Sequence, residues 1–438
     1  MAKRTGSSGK AAGSATGSVG MSGGEGVGGM LNGLPLSEYA ERRQRVLEAL
    51  GGSVGLVMAG DESEHLPVGR WRPDAFFIYL TGITRESGAA VVFDPTAEDP
   101  TRRIMLLLRP VNPEADQWTG FREMIGTDLR KRYGFSSIMR IGALAEVLCQ
   151  AARRSKKLAC LHPFTNYNQP VSADLATFRR VTERIPGCGI EDRTDVLRGM
   201  RSCKSAREVG LIRHAVQITA GGYEAACKVI RPGVTEAVVQ HAMESAYREL
   251  GAAGPTGSVH AYNPIVGSGV RGTVLHYNDN DGPLEDGDLL VIDSGAQHFG
   301  YAADITRTYP VSGKFTAEQR ELYELVLEAQ RASIAAVKPG ATMTDVNNAT
   351  KRVFEKAGML DHYPHGIGHQ LGLEVHDTQT HAPLAAGNVI TIEPGLYIPA
   401  RKIGIRIEDD ILVTSKGADN LSSEIPKSVK DVEEMMAG

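Results

Sequence analysis

The sequence predicts an α/β domain at the amino terminus, followed by an α+β domain made of two copies of one unit related by a pseudo-two-fold axis. Two observations carry this. Between Ser53 and Pro110 short apolar runs alternate with turn residues, and the helical stretch ALAEVLCQAARR follows, the alternation of an α/β layer. From about residue 229 the chain repeats itself, VIRPGVTEAVVQHAMESAYRELGA resembling AVKPGATMTDVNNATKRVFEKAG. Each copy then carries a histidine and an acid seventeen residues apart, His276 with Asp293 and His376 with Glu393, followed by a second acid, Asp304 or Glu408. Repetition of this kind means one supersecondary unit packed against its copy.

Bulk properties exclude several classes. The 438 residues carry a net charge of −4 and an ordinary globular composition. No basic excess points to nucleic acid, no polybasic run to a membrane surface and no apolar stretch to a bilayer span. Cys149, Cys160, Cys188, Cys203 and Cys227 are odd in number and form no C-x-x-C pair. They read as reduced thiols, which places the chain in the cytoplasm. Residues 1–33 are dominated by Gly, Ser and Ala and lack the apolar stretch of a secretory signal. They cannot bury enough surface to fold, so a disordered tail is expected. Organelle targeting and a start at Met21 or Met30 are both left open. The expected domains are this tail, the α/β domain over 34–195 and the repeated domain over 196–438.

Taken in order, folding is expected to begin near Leu34. LSEYAERRQRVLEAL has helical spacing and stops at Gly51-Gly52. SVGLVMAG, DAFFIYLTG, SGAAVVFDP and RRIMLLLRP read as short strands. The polar link IEDRTDVLRGMRSCK leads to a helix that opens on a Ser205/Glu208 capping box and stops before Pro232-Gly233. EAVVQHAMESAYRELGA starts the next helix. DLLVIDSGA and YAADITRTYPV flank Gln297-His298-Phe299-Gly300 and read as a hairpin. Thr316 and Gln319 cap the first helix of the second copy, and GNVITIEPGLY with IGIRIEDDILVT makes the matching hairpin.

The chemistry lies in these hairpins. Asp293, Asp304, His369, Glu393 and Glu408 supply four carboxylates and one imidazole, a donor set for Mn²⁺, with Co²⁺ or Zn²⁺ as alternatives. Taken singly, each acid reads as a solvated strand end. Clustered in a core they would repel one another, and two divalent ions about 3.5 Å apart, bridged by two of the carboxylates, would neutralise them. Strand alternation puts Arg406, Glu408 and Asp410 on one face and turns Asp409 away. Asp409 and Asp410 therefore read as surface groups or supports of the ligands. In the run His365–Asp377, three histidines stand among small and apolar residues. One can be a ligand while the others donate to a substrate; His365 alone also reads as a satisfied core histidine.

The run from His365 to Asp377 resembles the signature of the Xaa-Pro aminopeptidase and prolidase family of dinuclear metallopeptidases. So do VIDSGAQHFGYAADITRTYPV, TIEPGLY, IGIRIEDDILVT and YNPIVGSG followed by LHY. The resemblance is continuous from about Met200 onward, and RPDAFFIYLTGI is similar to part of the aminopeptidase P amino-terminal domain. It implies the pita-bread fold and a set of roles. Asp293 would hold one ion, His369 and Glu393 the other, and Asp304 and Glu408 would bridge them. A metal-bridging hydroxide would attack the carbonyl before a proline in second position, with Glu393 moving the proton to the leaving nitrogen. His276 and His376 would stabilise the tetrahedral intermediate, and His365 would sit near the proline-side pocket. Arg406 would orient the acids. Asp74 would meet the substrate's amino group, with Tyr262 and Tyr397 nearby; Asp74 reads equally as a helix or turn cap. Trp118 would reach a neighbouring subunit's active site, its ordinary reading being a core or interface residue. The implied partners are proline-containing peptides and a second copy of the chain, as a homodimer or homotetramer.

Three rivals share the fold. A prolidase cleaves only Xaa-Pro dipeptides and must cap the substrate carboxylate, for which Arg401 or Lys402 is available. A methionine aminopeptidase generally lacks so large an amino-terminal domain and the H-x-x-G-x-x-x-H run. A non-catalytic binding protein should have lost ligands, and all five are present here.

Overall fold

The computed structural model describes residues 29–61, 71–163, 168, 170–255, 257–378 and 382–437. Most of the expected tail lies outside these residues, but its last part corrects the expectation. Met30–Leu31 pairs antiparallel with Leu34–Pro35 around Asn32-Gly33, whose φ values of 45° and 79° make a tight turn. Asn-Gly is the strongest short hairpin signal, and the compositional argument overrode it. The turn docks on a second one like it: Asn32 Nδ2 donates to Phe299 O at 3.0 Å.

The N-terminal domain is built on a six-stranded sheet in the order Ser137–Arg140, Ile104–Leu108, Ala90–Phe93, Val54–Met58, Lys157–Cys160, Gly189–Asp192. The two pairings made by Ala90–Phe93 are antiparallel and the others parallel. Val54, Leu56, Val92 and Leu107 pack on one face with the helices Leu144–Ser155 and Ala173–Thr182. Val57, Val91, Phe93 and Leu106 pack on the other, with Leu36–Ala49 and Ala75–Thr81. Burial on both faces is why these strands read as unbroken apolar runs.

The run DAFFIYLTG is a helix, Ala75–Thr81, where a strand is expected. Asp74 caps it, Oδ1 accepting from Phe76 N at 2.8 Å and from Phe77 N at 3.3 Å, and Gly82 at φ 68° ends it. Every residue of the helix is buried. No polar face marks its period, and an apolar run of this length does not separate helix from strand. The supposed polar link is also structured: Gly189–Asp192 is the sheet's edge strand, and Thr194–Ser202 is a helix across the expected boundary.

The second domain shows the repeat. Ala206–Cys227 and Glu236–Glu249 in one copy match Ala317–Ala336 and Met343–Lys356 in the other. The expected capping boxes, Ser205 with Glu208 and Thr316 with Gln319, are both formed. In the first hairpin Leu289–Asp293 pairs with Thr306–Pro310, and Gln297–His298 with Tyr301–Ala302. In the second, Val389–Ile392 pairs with Asp409–Thr414, and Gly395–Ile398 with Ile403–Arg406. Each ladder is therefore broken in the middle, at equivalent places.

The domains meet where Arg201 and Lys204 converge on the buried Asp377, Lys204 Nζ lying 3.0 Å from Oδ2. Burial alone would raise the Asp377 carboxyl, but the Arg201 and Lys204 charges outweigh it and hold it at about 2. A carboxylate near 3.9 when unfolded and lower when folded contributes stability that is full above the unfolded value and lost as pH falls through the folded one. We expect Asp377→Asn to destabilise the protein at pH 7. The gap to wild type should close as pH falls from about 4 towards 2 in urea unfolding at a series of pH values.

Candidate metal centre and active-site cleft

The two breaks hold the acids. Asp293 ends its strand opposite Thr306; Asp304 lies in the facing gap, two residues before Thr306. In the second copy Glu393 follows Ile392, and Glu408 stands in the gap between Arg406 and Asp409. Glu408 N donates across the repeat to Thr306 O at 3.0 Å, so the two gaps face each other. His369 comes from a segment running along Val389–Ile392: Leu371 N donates to Val389 O, Thr391 N to His369 O and Glu393 N to Ile367 O, each at 2.9 Å. That approach needs Gly368, where a Cβ would lie 2.1 Å from Thr391 O.

Ligand atoms of Asp304, His369 and Glu408 lie within 4.8 Å of one another. His369 Nε2 is 3.3 Å from Asp304 Oδ2 and 3.7 Å from Glu393 Oε1. Asp293 stands beside them, accepting from Tyr262 Oη at 2.5 Å and from an Arg406 Nη at 2.6 Å. A cleft opens over the cluster in two lobes. One, of about 240 Å³, is lined by Tyr262, Asn263, His276, Asn278, Asp293, Asp304, His369, Val375, His376, Glu393 and Glu408, among others. The other, of about 230 Å³, shares His276, Asp293, His376 and Glu393 and adds His365, Tyr397 and Arg406. His276 and His376 are solvent-exposed, as substrate-facing groups must be.

Residues 210–415 match the Metallopeptidase family M24, and residues 39–160 match the Aminopeptidase P, N-terminal domain. The Xaa-Pro aminopeptidase of Haemophilus influenzae is 32% identical over 92% of this chain and 98% of its own length. The chain belongs to the aminopeptidase P family. The Xaa-Pro aminopeptidase of Escherichia coli is likewise 32% identical, over 91% of this chain and 97% of its own. Among solved structures, proline aminopeptidase P II from Yersinia pestis superposes with a TM-score of 0.81 at 30% identity, covering 92% of this chain and 99% of its own. Aminopeptidase P from E. coli with the inhibitor Pro-Leu gives 0.80 at 30% identity, over 92% and 98%. The pairing of this N-terminal domain with a pita-bread catalytic domain is the family's architecture, and the chain is a hydrolase of the metallopeptidase class.

A divalent metal fits this aminopeptidase P site on the geometry alone. Glu408 Oε2 accepts from Thr306 Oγ1 at 2.6 Å, but Oε1 is buried with no hydrogen-bond partner among the described residues. A buried carboxylate oxygen without a partner, on a residue whose ligand atom lies within 4.8 Å of those of an imidazole and a second carboxylate, fits a cation. Protonation tells the same story. Burial raises Glu393 to about 7 against the pull of His369 and Arg406. Burial, then the charges of Asp304, Glu393 and Asp293, push Glu408 well up. Burial works against a charged His369, but its bond to Asp304 and the charges of Asp304 and Glu393 win, raising it to about 9.

The remaining expectations divide. His365 Nδ1 lies 2.7 Å from Gly366 O, an acceptor only, so the proton is on Nδ1. Nε2 then accepts from Tyr397 Oη at 3.0 Å, and Tyr397 in turn accepts from Arg406 at 2.9 Å. Burial holds His365 neutral, at about 4. Asp74 lines neither lobe and is engaged as a cap, so of its two readings the geometry supports the cap. Trp118 is 89% exposed and lines neither lobe, which corrects its reading as a core residue.

Asp409 and Asp410 are both fully buried, which overturns their reading as surface groups and leaves that of supports. Asp409 pairs with the buried Arg307 at 2.8 Å and with Lys427, and Asp410 Oδ2 accepts from Asp304 N at 3.2 Å. The alternation holds across the interruption at Ile407 and Glu408: Arg406, Glu408 and Asp410 face the acid cluster and Asp409 turns away from it. Sequence reasoning missed Thr306, which holds Glu408 and accepts from Arg406 Nε at 3.1 Å. Its position two residues after Asp304, on the same strand face, was the available signal.

Binding requires His369 and Glu393 to give up protons that the metal-free site holds at pH 7. We expect Mn²⁺ binding at pH 7 to release protons, and apparent affinity to rise with pH from about 7 to about 9. Calorimetry in buffers of different ionisation enthalpy measures both. A pH-independent affinity would contradict the ligand set.

Proposed function

We propose that this protein removes the first residue from peptides carrying proline in second position, as its relatives' names state for them. The observation that carries the reading is the cleft itself: Asp304, His369 and Glu408 at its floor, Asp293 and Glu393 on either side, and His276 and His376 exposed at its mouth.

In this reading Asp293, Asp304, His369, Glu393 and Glu408 would hold two divalent ions. The ions supply Lewis-acid polarisation of the scissile carbonyl and lower the pKa of an attacking water. The carboxylate-rich donor set suits Mn²⁺, with Co²⁺ or Zn²⁺ as alternatives. Glu393 takes the proton of the attacking water and delivers it to the departing nitrogen. His276 and His376 donate to the carbonyl oxygen as it gains charge. Proline's amide has no N–H, so recognition falls to shape, and His365, Tyr397 and Arg406 form the wall of the second lobe. Arg406 and Tyr262 fix the Asp293 carboxylate between them.

Neither residue offered as a prolidase cap, Arg401 or Lys402, lines the cleft. Arg401 pairs with Glu318 at 3.1 Å, both side chains more than half exposed, and lines neither lobe. This favours a proline-side pocket open to a longer chain. The cytoplasm is the proposed location: the described cysteines are all unpaired, and no described helix is long and apolar enough to cross a membrane. Self-association as a homodimer or homotetramer is proposed through Trp118, Phe121 and Met124, which are exposed within one stretch of the N-terminal domain.

With Mn²⁺-loaded protein we expect release of the first residue from an Xaa-Pro-Xaa tripeptide, and a loss of about 10²–10⁴-fold in kcat for Glu393→Gln. Cleavage of an Xaa-Pro dipeptide alone would make the protein a prolidase, and cleavage of neither would overturn the reading. Sedimentation of Trp118→Glu should show a lower mass than wild type; an unchanged mass would remove this face from the interface.

A further inference from the structure

The loop that brings His376 into the cleft is held from behind by the joint between the domains. Asp377, the next residue, is buried and takes Arg201 on one oxygen and Lys204 on the other. Arg201 also reaches Glu374 Oε2 at 2.9 Å, and its guanidinium carbon lies 4.7 Å from the centre of the Phe76 ring. Phe76 belongs to the N-terminal-domain helix Ala75–Thr81. From the same domain Arg72 donates to Leu373 O, and Tyr79 Oη donates to Met200 O at 3.2 Å, beside Arg201. On the catalytic side, Asp377 N donates to Gln370 O and Ala302 N to Gly372 O, both at 2.9 Å. Val375 and His376, the two residues of this loop that line the cleft, are thus suspended between anchors at Leu373, Glu374 and Asp377.

We infer that Arg201, with Lys204 and Asp377, positions His376 over the reacting carbonyl. The inference rests on the role proposed above for His376. Stability alone is a weak reason for the cluster, since apolar packing of equal volume often serves as well as a buried ion pair. Placement is a stronger reason, because a shift of about 1 Å at a catalytic group costs on the order of 10²-fold in rate.

The test is a double-mutant cycle on the Mn²⁺-loaded enzyme with an Xaa-Pro-Xaa tripeptide. We expect Arg201→Met to lower kcat about tenfold or more, with metal content and KM nearly unchanged, and Arg201→Lys to recover part of the loss. In a His376→Ala background the same change should cost less than about twofold, because the group it positions is gone. If Arg201→Met does not fold, Asp377→Asn enters the same cycle. An equal loss in both backgrounds, or a loss that follows metal content, would overturn the inference and leave the role of His376 standing. A His376→Ala enzyme with wild-type kcat would overturn both.

Discussion

The constraint on which the rest depends is electrostatic. Asp293, Asp304, Glu393 and Glu408 are gathered around one imidazole, with Asp410 buried behind them and Arg406 the guanidinium that reaches Asp293. Two unit charges about 4 Å apart interact by roughly 4 kcal/mol at an effective dielectric near 20. A handful of such repulsions rivals the total stability of a domain, about 5–15 kcal/mol. The cluster must therefore take up protons or cations. The raised Glu393, Glu408 and Asp293 are the proton-bound answer, and divalent ions are the functional one.

Much of the surrounding structure holds these like charges in place. Ladder hydrogen bonds grip both sides of each break, so the acids sit on short gaps clamped at either end. Thr306 fixes Glu408, and Tyr262 with Arg406 fixes Asp293. Behind the gap, the buried Arg307 donates to the carbonyls of Thr306, Glu408, Ile425 and Pro426 and to Asp409. That uses the full donor set of a guanidinium and locks the backbone that carries Glu408. The pseudo-two-fold repeat accounts for the pairing of roles: one broken hairpin supplies Asp293 and Asp304, and its copy supplies Glu393 and Glu408.

Most of this site was legible in the sequence because its logic is local. The repeat, the two hairpins and the capping boxes at Ser205 and Thr316 follow from short-range patterns. Where the sequence misled, the deciding interaction lay elsewhere in the chain. The helix Ala75–Thr81 is buried all round and shows no periodicity. Asp409 is buried because Arg307 and Lys427 come to meet it from distant positions, which no local pattern announces. Asp74 and Trp118 each carried two readings, and what surrounds them, a helix cap and an exposed helix, is tertiary. Asn32-Gly33 differs: its hairpin signal was plain, and the glycine-rich context hid it.

The most direct measurement of the central claim is anomalous diffraction at the manganese edge from crystals of the Mn²⁺-loaded protein. The account predicts two peaks in the cleft, with Asp304 and Glu408 between them, Asp293 on one and His369 with Glu393 on the other. A single peak, or peaks away from Asp304, His369 and Glu408, would contradict it.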